Sequence, residues 1–376
     1  MLIGLPKEIK NNEFRVGLTP ASVHELTEAG HQVHVESSAG EGCGYTDTDF
    51  IAAGASIVEC ARNIFETSEL IVKVKEPQAP ERAMLRPGQT LFTYLHLAPD
   101  IPQTQELLAS QATCIAYETV TDTLGRLPLL APMSEVAGRM SIQAGARCLE
   151  KSQQGSGILL GGVPGVPPAN VLILGAGVVG SNATQMAVGL GANVTVLDKS
   201  LDALRHLNSL YNNKIKTLFS TKQTVAEQLL TADLVIGAVL IPGAAAPRLI
   251  TKELLKTMKN GSAIVDVAID QGGCFESSRP TTHDKPIFIE EGIVHYCVAN
   301  MPGALARTAT QALNNATLPY VLELANKGIK NALAENDGLL QGLNIVAGKL
   351  TCSSVASAQN IPSITLKAGL ALVQKE

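Results

Sequence analysis

The spacing richest in chemistry is that of Gly175, Gly177 and Gly180, which follow the apolar run Val171-Leu-Ile-Leu174. A helical pattern continues to Leu190, and a second apolar run, Val194-Thr-Val-Leu197, ends in Asp198. Strand, glycine-rich turn, helix, strand and carboxylate together form an arrangement that holds a dinucleotide. Gly175 permits the tight turn, Gly177 lets main chain approach a pyrophosphate, and Gly180 lets the helix lie close to the strand. The pyrophosphate would meet the positive end of the helix dipole. Asp198 can accept hydrogen bonds from both hydroxyls of an adenosine ribose. A 2′-phosphate would meet its charge, so NAD is expected over NADP. No arginine follows immediately, only Lys199 and Ser200.

Four more side chains could do polar chemistry. Arg15 falls in the loop between the first strand and its helix, where a guanidinium can hold a carboxylate bidentately. Lys75 ends Ile71-Val-Lys-Val-Lys-Glu-Pro77, in which Lys73 and Lys75 share one strand face. His96 ends Leu91-Phe-Thr-Tyr-Leu-His96 and can move protons near neutrality. Asp270 follows the apolar run Ala263–Val267 and precedes Gln271-Gly-Gly273, where a carboxylate can activate water or hold ammonium. Local pattern alone also accommodates a solvated loop arginine, an edge-strand lysine, a structural histidine and an Asx-type turn cap.

The elements that must position these groups alternate between strand and helix. Strands are expected at Leu2–Leu5, Gln32–Val35, Leu70–Val74, Thr90–Tyr94 and Thr113–Ala116, with helices near Asp49–Ala53 and at Ile101–Ser110. Thr19 should cap a helix with Pro20 in its first turn, ending at Gly30. Ser134 reads as the cap of a long helix running to about Gln153, and residues 155–168 read as an exposed loop. The nucleotide unit should contribute strands at Val171–Leu174, Val194–Leu197, Ile215–Leu218, Leu234–Gly237, Ala263–Val267 and Ile293–Cys297. After residue ~306 the pattern is helical to the end, a stretch too short for its own core and expected to return to the first domain.

Bulk properties narrow the function classes. The 376 residues suffice for two or three domains. A net charge of -5 without a basic run argues against nucleic acid as the main partner. Seven cysteines without a CxxC spacing read as reduced thiols of a cytoplasmic protein. No signal peptide, membrane span or metal-ligand cluster is expected, and no metal is expected to be essential.

Longer motifs carry a resemblance. These are Gly4-Leu-Pro-Lys-Glu-Ile-Lys-Asn-Asn-Glu-Phe-Arg-Val-Gly-Leu-Thr-Pro20, the stretch from Val171 to Asp198, Asp266-Val-Ala-Ile-Asp-Gln-Gly-Gly273 and His295-Tyr-Cys-Val-Ala-Asn-Met-Pro-Gly303. Through them the chain resembles the alanine dehydrogenases, bacterial NAD-dependent enzymes, over nearly its whole length. The resemblance implies an α/β fold of two Rossmann-like domains, parallel sheets with flanking helices, and an active site in the interdomain cleft. Residues 1–128 with 307–376 would bind substrate, and residues 129–306 would bind NAD. It implies oxidation of L-alanine at Cα followed by imine hydrolysis to pyruvate and ammonium. Arg15 would hold the carboxylate and Lys75 the keto or carbinolamine oxygen. His96 would be the general acid/base, with Asp270 acting on water or ammonium.

Cofactor contacts implied alongside the glycines and Asp198 are Ser134, the amides of Val178 and Val179, Ser220, Val239 and Leu240 near the adenine, and Arg279. Val267, Ala268, Ile269 and Asp270 form one later loop, and Val298, Ala299, Asn300 and Met301 form another around the nicotinamide. Asn300 is also a candidate substrate contact. Tyr94 fits the substrate-pocket wall and a core tyrosine equally well. A cytoplasmic homohexamer is implied. Three features depart from the family pattern: Gly17 replaces a usual alanine, Ala203 a usual basic or polar residue, and Ala304-Leu-Ala-Arg307 lacks a proline before its arginine. Related alternatives are a saccharopine-type dehydrogenase, the nucleotide-binding part of a proton-pumping transhydrogenase, and an NAD-sensing pseudo-enzyme.

Overall fold

The computed structural model describes residues 1–239 and 247–374. Fifteen strands run through the described residues. The first six are β1 (Leu2–Leu5), β2 (Gln32–Glu36), β3 (Ser56–Val58), β4 (Leu70–Val72), β5 (Thr90–Thr93) and β6 (Thr113–Ala116). Then come β7 (Asn170–Leu174), β8 (Asn193–Asp198), β9 (Ile215–Phe219), β10 (Leu234–Gly237), β11 (Ala263–Asp266), β12 (Ile287–Glu290) and β13 (Ile293–Tyr296). The last are β14 (Leu343–Val346) and β15 (Lys349–Leu350).

The chain divides into two compact units, Met1–Met133 with Gly303–Glu376, and Ser134–Pro302. The first unit's sheet has the order β15-β14-β6-β5-β4-β1-β2-β3. It is parallel from β6 to β3, and β14 joins antiparallel to β6. The second unit's sheet has the order β12-β13-β11-β10-β7-β8-β9, parallel except for β12. In each sheet the strand order reverses once, between β1 and β4 and between β7 and β10. At such a reversal adjacent crossovers leave toward opposite faces and open a crevice at the carboxyl ends of the strands.

The apolar runs are continuous because both sheet faces are covered. In β7, Val171 and Ile173 join one buried cluster with Ala183, Val196 and Ile236. Leu172 and Leu174 join the opposite one with Leu197, Val235 and Phe275. In the first unit Ile71, Leu91 and Cys114 pack with Leu107, Ile345 and Leu350.

Several elements sit where the residue pattern puts them: β1, β6, β10 and the helix Ile101–Ser110 match residue for residue. Thr19 caps the helix Pro20–Glu28, accepting from the Ser22 N–H at 3.2 Å. Others differ. The helix expected to begin at Ser134 spans Ala131–Cys148, so Ser134 lies inside its first turn and is not its cap. That helix stops at Cys148, followed by a short 3-10 turn at Lys151–Gln153. The C-terminal stretch is not wholly helical: β14 and β15 complete the first sheet. Strands β3 and β12, both short sheet-edge strands, were not expected. All seven cysteines are thiols, and burial pushes those of Cys114, Cys148, Cys274 and Cys297 up to about 12. Among the described residues no helix is long and apolar enough to cross a membrane.

Candidate active site

At the reversal of the first sheet, three strand ends present cations and an imidazole. The loop after β1 carries Arg15, which is 2% exposed. A guanidinium removed from water must be paired. Glu13 does this, taking Nε on one oxygen at 2.7 Å and Nη2 on the other at 2.6 Å. Nη1 donates to Met133 Sδ at 2.9 Å. Burial opposes the Arg15 charge, and Glu13 outweighs that and holds it. The loop is stitched to the helix Ala306–Lys327 by buried polar groups. Asn314 Oδ1 accepts from the Thr19 N–H at 2.8 Å and the Ser22 hydroxyl at 2.9 Å, and the Thr310 hydroxyl accepts from the Val16 N–H at 3.3 Å. Gly17 lies flat on β4: a Cβ there would stand 2.8 Å from the Val72 carbonyl oxygen.

Lys75 follows β4 and is 8% exposed. Its carbonyl accepts from the Thr93 hydroxyl at 2.9 Å. Lys73, on the same face by pattern, is wholly buried between Glu8 at 3.0 Å and Glu81 at 2.6 Å. Burial opposes the Lys73 charge, but the two carboxylates hold the ammonium above its ordinary value.

His96 stands three residues past β5, in a left-handed conformation with φ 49°. Glu118, just beyond β6, supports that turn. Its carboxylate accepts from the His96 N–H at 2.6 Å and the Leu95 N–H at 3.1 Å, and lies 3.9 Å from His96 Nδ1. The Tyr94 ring stacks on the imidazole at 5.6 Å, with planes 3° apart. Tyr94 is buried and its hydroxyl donates to the Leu129 carbonyl at 2.5 Å, so it serves as a core tyrosine as well as a neighbour of the imidazole. Burial pushes that hydroxyl up, and the Arg15 charge opposes the shift. Burial likewise opposes the Glu76 charge, while Lys75, Lys10 and His96 hold its carboxyl below the usual range. Arg15, Tyr94, His96, Glu76 and Lys75 thus form one connected electrostatic cluster, fit to hold a small anionic carbonyl compound and exchange a proton with it.

The second unit's reversal is built from main chain. Gly175 has φ 107°, and a Cβ there would stand 2.7 Å from the Ala238 carbonyl oxygen across the reversal. Gly177 precedes the helix Val178–Gly189, and a Cβ on it would meet nothing within 4 Å. Gly180 is the opposite case: its Cβ would fall 1.8 Å from the Gly175 carbonyl oxygen. The first intrahelical bond runs from the Ser181 N–H to the Gly177 carbonyl at 2.9 Å, which leaves the N–H groups of Val178 and Val179 at the helix mouth. No side chain caps this helix among the described residues. Asp198 accepts from the Ala176 N–H at 2.5 Å and the Ser200 N–H at 2.7 Å, so it also clamps the glycine turn. Its carbonyl accepts from the Ser220 N–H at 2.9 Å. An uncapped helix start, an open glycine and a carboxylate at the second strand's end fit a dinucleotide.

The two later loops are also braced. β11 ends at Asp266, one residue earlier than expected, and Asp270 sits exposed in the 3-10 turn Ile269–Gln271 with Val267 and Ala268 before it. The group that organises this loop is Asp266, which the sequence reading did not single out. It is wholly buried and accepts from the Ala268 N–H at 3.1 Å, the Cys274 N–H at 2.8 Å and the Ser278 hydroxyl at 2.6 Å. Burial pushes its carboxyl up against those donors. Asn300 is left-handed with φ 63°, and its carbonyl lies 3.1 Å from His283 Nε2. Val298 and Met301 are buried beside it, and the Ala299 N–H reaches the Thr281 carbonyl at 3.2 Å. Arg279 lies over the Phe288 ring at 3.9 Å and 3.8 Å from Glu290. Val239 follows β10, and Leu240 lies outside the described residues.

Comparison with known proteins agrees with this architecture. The family profile "Alanine dehydrogenase/PNT, N-terminal domain" matches residues 4–137, and "Alanine dehydrogenase/PNT, C-terminal domain" matches residues 141–353. The chain is 60% identical to an alanine dehydrogenase of Halomonas elongata, over 95% of this chain and 96% of that protein. A solved L-alanine dehydrogenase superposes with a TM-score of 0.93 at 51% identity, over 96% of this chain and 99% of that one. A transhydrogenase from Sinorhizobium meliloti superposes with a TM-score of 0.80 at 25% identity, over 93% of this chain and 98% of that one.

Proposed function

Because the chain belongs to the alanine dehydrogenase/PNT family, we infer that its reaction is the reversible oxidative deamination of L-alanine to pyruvate and ammonia, with NAD as the nicotinamide cofactor. Bound NAD supplies the hydride acceptor. The glycines 175, 177 and 180, the amides of Val178 and Val179, and Asp198 hold its dinucleotide. Ser134, Ser220, Val239, Leu240, Arg279 and the stretches 267–270 and 298–301 complete that set. In the first unit, Arg15 takes the substrate carboxylate in a fixed orientation. Lys75 donates to the oxygen that develops at Cα during imine hydrolysis. His96 exchanges the proton that the attacking water must lose. Asp270 steadies that water or the departing ammonium.

One observation supports this reading: a carboxylate-gripped guanidinium, a lysine and an imidazole follow three neighbouring strands, β1, β4 and β5, beside one strand-order reversal, with Tyr94 stacked on the imidazole. A binding module that only passed hydride between nucleotides would have no use for them. The family resemblance further suggests a cytoplasmic homohexamer, for which exposed Leu159, Val163, Val166 and Leu190 in the second unit offer apolar surface. The deciding experiment follows NADH absorbance with pyruvate and ammonium, and NAD reduction with L-alanine against other amino acids and against NADP. Pyruvate-dependent loss of NADH and a preference for L-alanine and NAD are expected. Hydride exchange between nucleotides without any pyruvate dependence would replace this reading with a transhydrogenase-like one.

A further inference from the structure

Strand β4 stops at Val72, although the apolar alternation runs on to Val74. There the carboxylate of Glu8, 8% exposed, bonds three successive residues after the strand. One oxygen takes the Lys73 ammonium at 3.0 Å. The other takes the Val74 N–H at 2.7 Å and the Lys75 N–H at 3.3 Å. On the other side of the same residue, Thr93 holds the Lys75 carbonyl at 2.9 Å. The Lys75 main chain is therefore clamped at both its N–H and its carbonyl. Glu8 also rides on the loop that carries Arg15.

The energetics point away from a role in stability alone. Burying an ion pair removes two charges from water, and an apolar replacement of similar volume is often as stable. A carboxylate bonded to main chain does something an apolar side chain cannot: it fixes where the next side chain begins. We propose that Glu8 is the positioning residue for Lys75, and that buried Lys73 is the partner that holds the Glu8 carboxylate in place. The inference rests on the reading of Lys75 as a substrate contact.

The test uses the full-length protein and a double-mutant cycle. Lys75→Ala alone should lower kcat/KM for pyruvate by about 100-fold or more. Glu8→Gln should lower it by about tenfold with Lys75 present and by less than about twofold in the Lys75→Ala background, with NADH affinity unchanged. Glu81→Gln is the control, because Glu81 grips Lys73 with one oxygen and the Gln78 N–H with the other. It should lower Tm while leaving kcat/KM within about twofold. If Glu8→Gln does not fold, Glu8→Asp is read in the same cycle. Equal losses in both Lys75 backgrounds, or a Glu81→Gln loss as large as that of Glu8→Gln, would overturn the proposal. A near-native rate for Lys75→Ala would instead sink the functional reading of that lysine, and this inference with it.

Discussion

The two sheets share one plan and execute it in opposite ways. In one the order β3-β2-β1-β4-β5-β6 reverses beside β1, and in the other β9-β8-β7-β10-β11-β13 reverses beside β7. Both offer a crevice suited to an anion. After β7 the chain turns at once through Gly175 and Gly177 into a helix, and its anion-binding groups are main-chain N–H. After β1 it makes a long loop, residues 6–19, and the group it offers is a side-chain cation gripped by a carboxylate, Arg15 on Glu13, while Glu8 of the same loop takes the main-chain N–H of Lys75 after β4. Main-chain geometry tolerates changes of charge but no added Cβ. A carboxylate-gripped cation tolerates small steric changes but not the loss of its partner.

The largest expected effect tests the glycine side of that contrast. Gly180→Ala would put a Cβ 1.8 Å from a carbonyl oxygen, and backbone cannot yield that far. NADH affinity should fall by about 100-fold or more, with a stability loss of about 3 kcal/mol, the range of severe overpacking. Gly177→Ala is the sharpening partner. Its Cβ meets open space, so stability should stay within about 0.5 kcal/mol of native while NADH affinity still falls. NADH fluorescence titration with parallel melting reads both. Equal melting losses for the two variants would erase the distinction between a packing glycine and an approach glycine.

A smaller effect is expected in the first unit. Glu13→Gln keeps the shape of the buried pair but removes the bidentate carboxylate charge from a guanidinium that is 2% exposed. Breaking a buried pair costs about 3 kcal/mol, and a loosened Arg15 should raise KM for pyruvate and L-alanine about tenfold. NADH affinity should not move. Steady-state kinetics with NADH titration would show it, and an unchanged KM would mean that Glu13 serves folding only.

How much of this could be read from residues alone follows the same division. The glycine turn is legible because residue type dictates its geometry within ten residues. So are Thr19 as a cap and strands such as β1, β6 and β10, where alternation and punctuation agree. Carboxylate braces are not legible. Glu8 acts 66 residues away on Val74, Glu118 acts 22 residues away on His96, and Asn314 acts 295 residues away on Thr19. No local pattern announces such partners. Beyond β4 the N–H groups of residues 74 and 75 go to Glu8 and not to a neighbouring strand. The strand β14 was hidden for a similar reason: its apolar residues fit a helix until β6 is available to pair with them. Ser134 looked like a cap because it precedes an apolar stripe, but the helix already starts at Ala131.

The smallest predicted effect probes where the contrast breaks down, since the second unit's core holds one ionisable group that its main-chain strategy does not explain. His295 in β13 is wholly buried, with Nδ1 donating to the Ile293 carbonyl at 2.9 Å and Nε2 accepting from the Ser277 hydroxyl at 2.8 Å. Those partners accommodate a neutral ring protonated at Nδ1, stacked 4.6 Å from Phe288. Burial holds the His295 imidazole below its ordinary value, against the pull of the Ile293 carbonyl and Glu290. Between the folded and unfolded values, only the unfolded chain takes up the proton. The stability contributed by the neutral ring is therefore complete above the unfolded value near 6.5 and is lost as the pH falls through it. Native protein should lose on the order of 1 kcal/mol more than His295→Gln between about pH 7.5 and about pH 5, read as the difference in their melting curves. Parallel curves would show that the second unit's stability is as indifferent to this proton as its glycine turn is to charge.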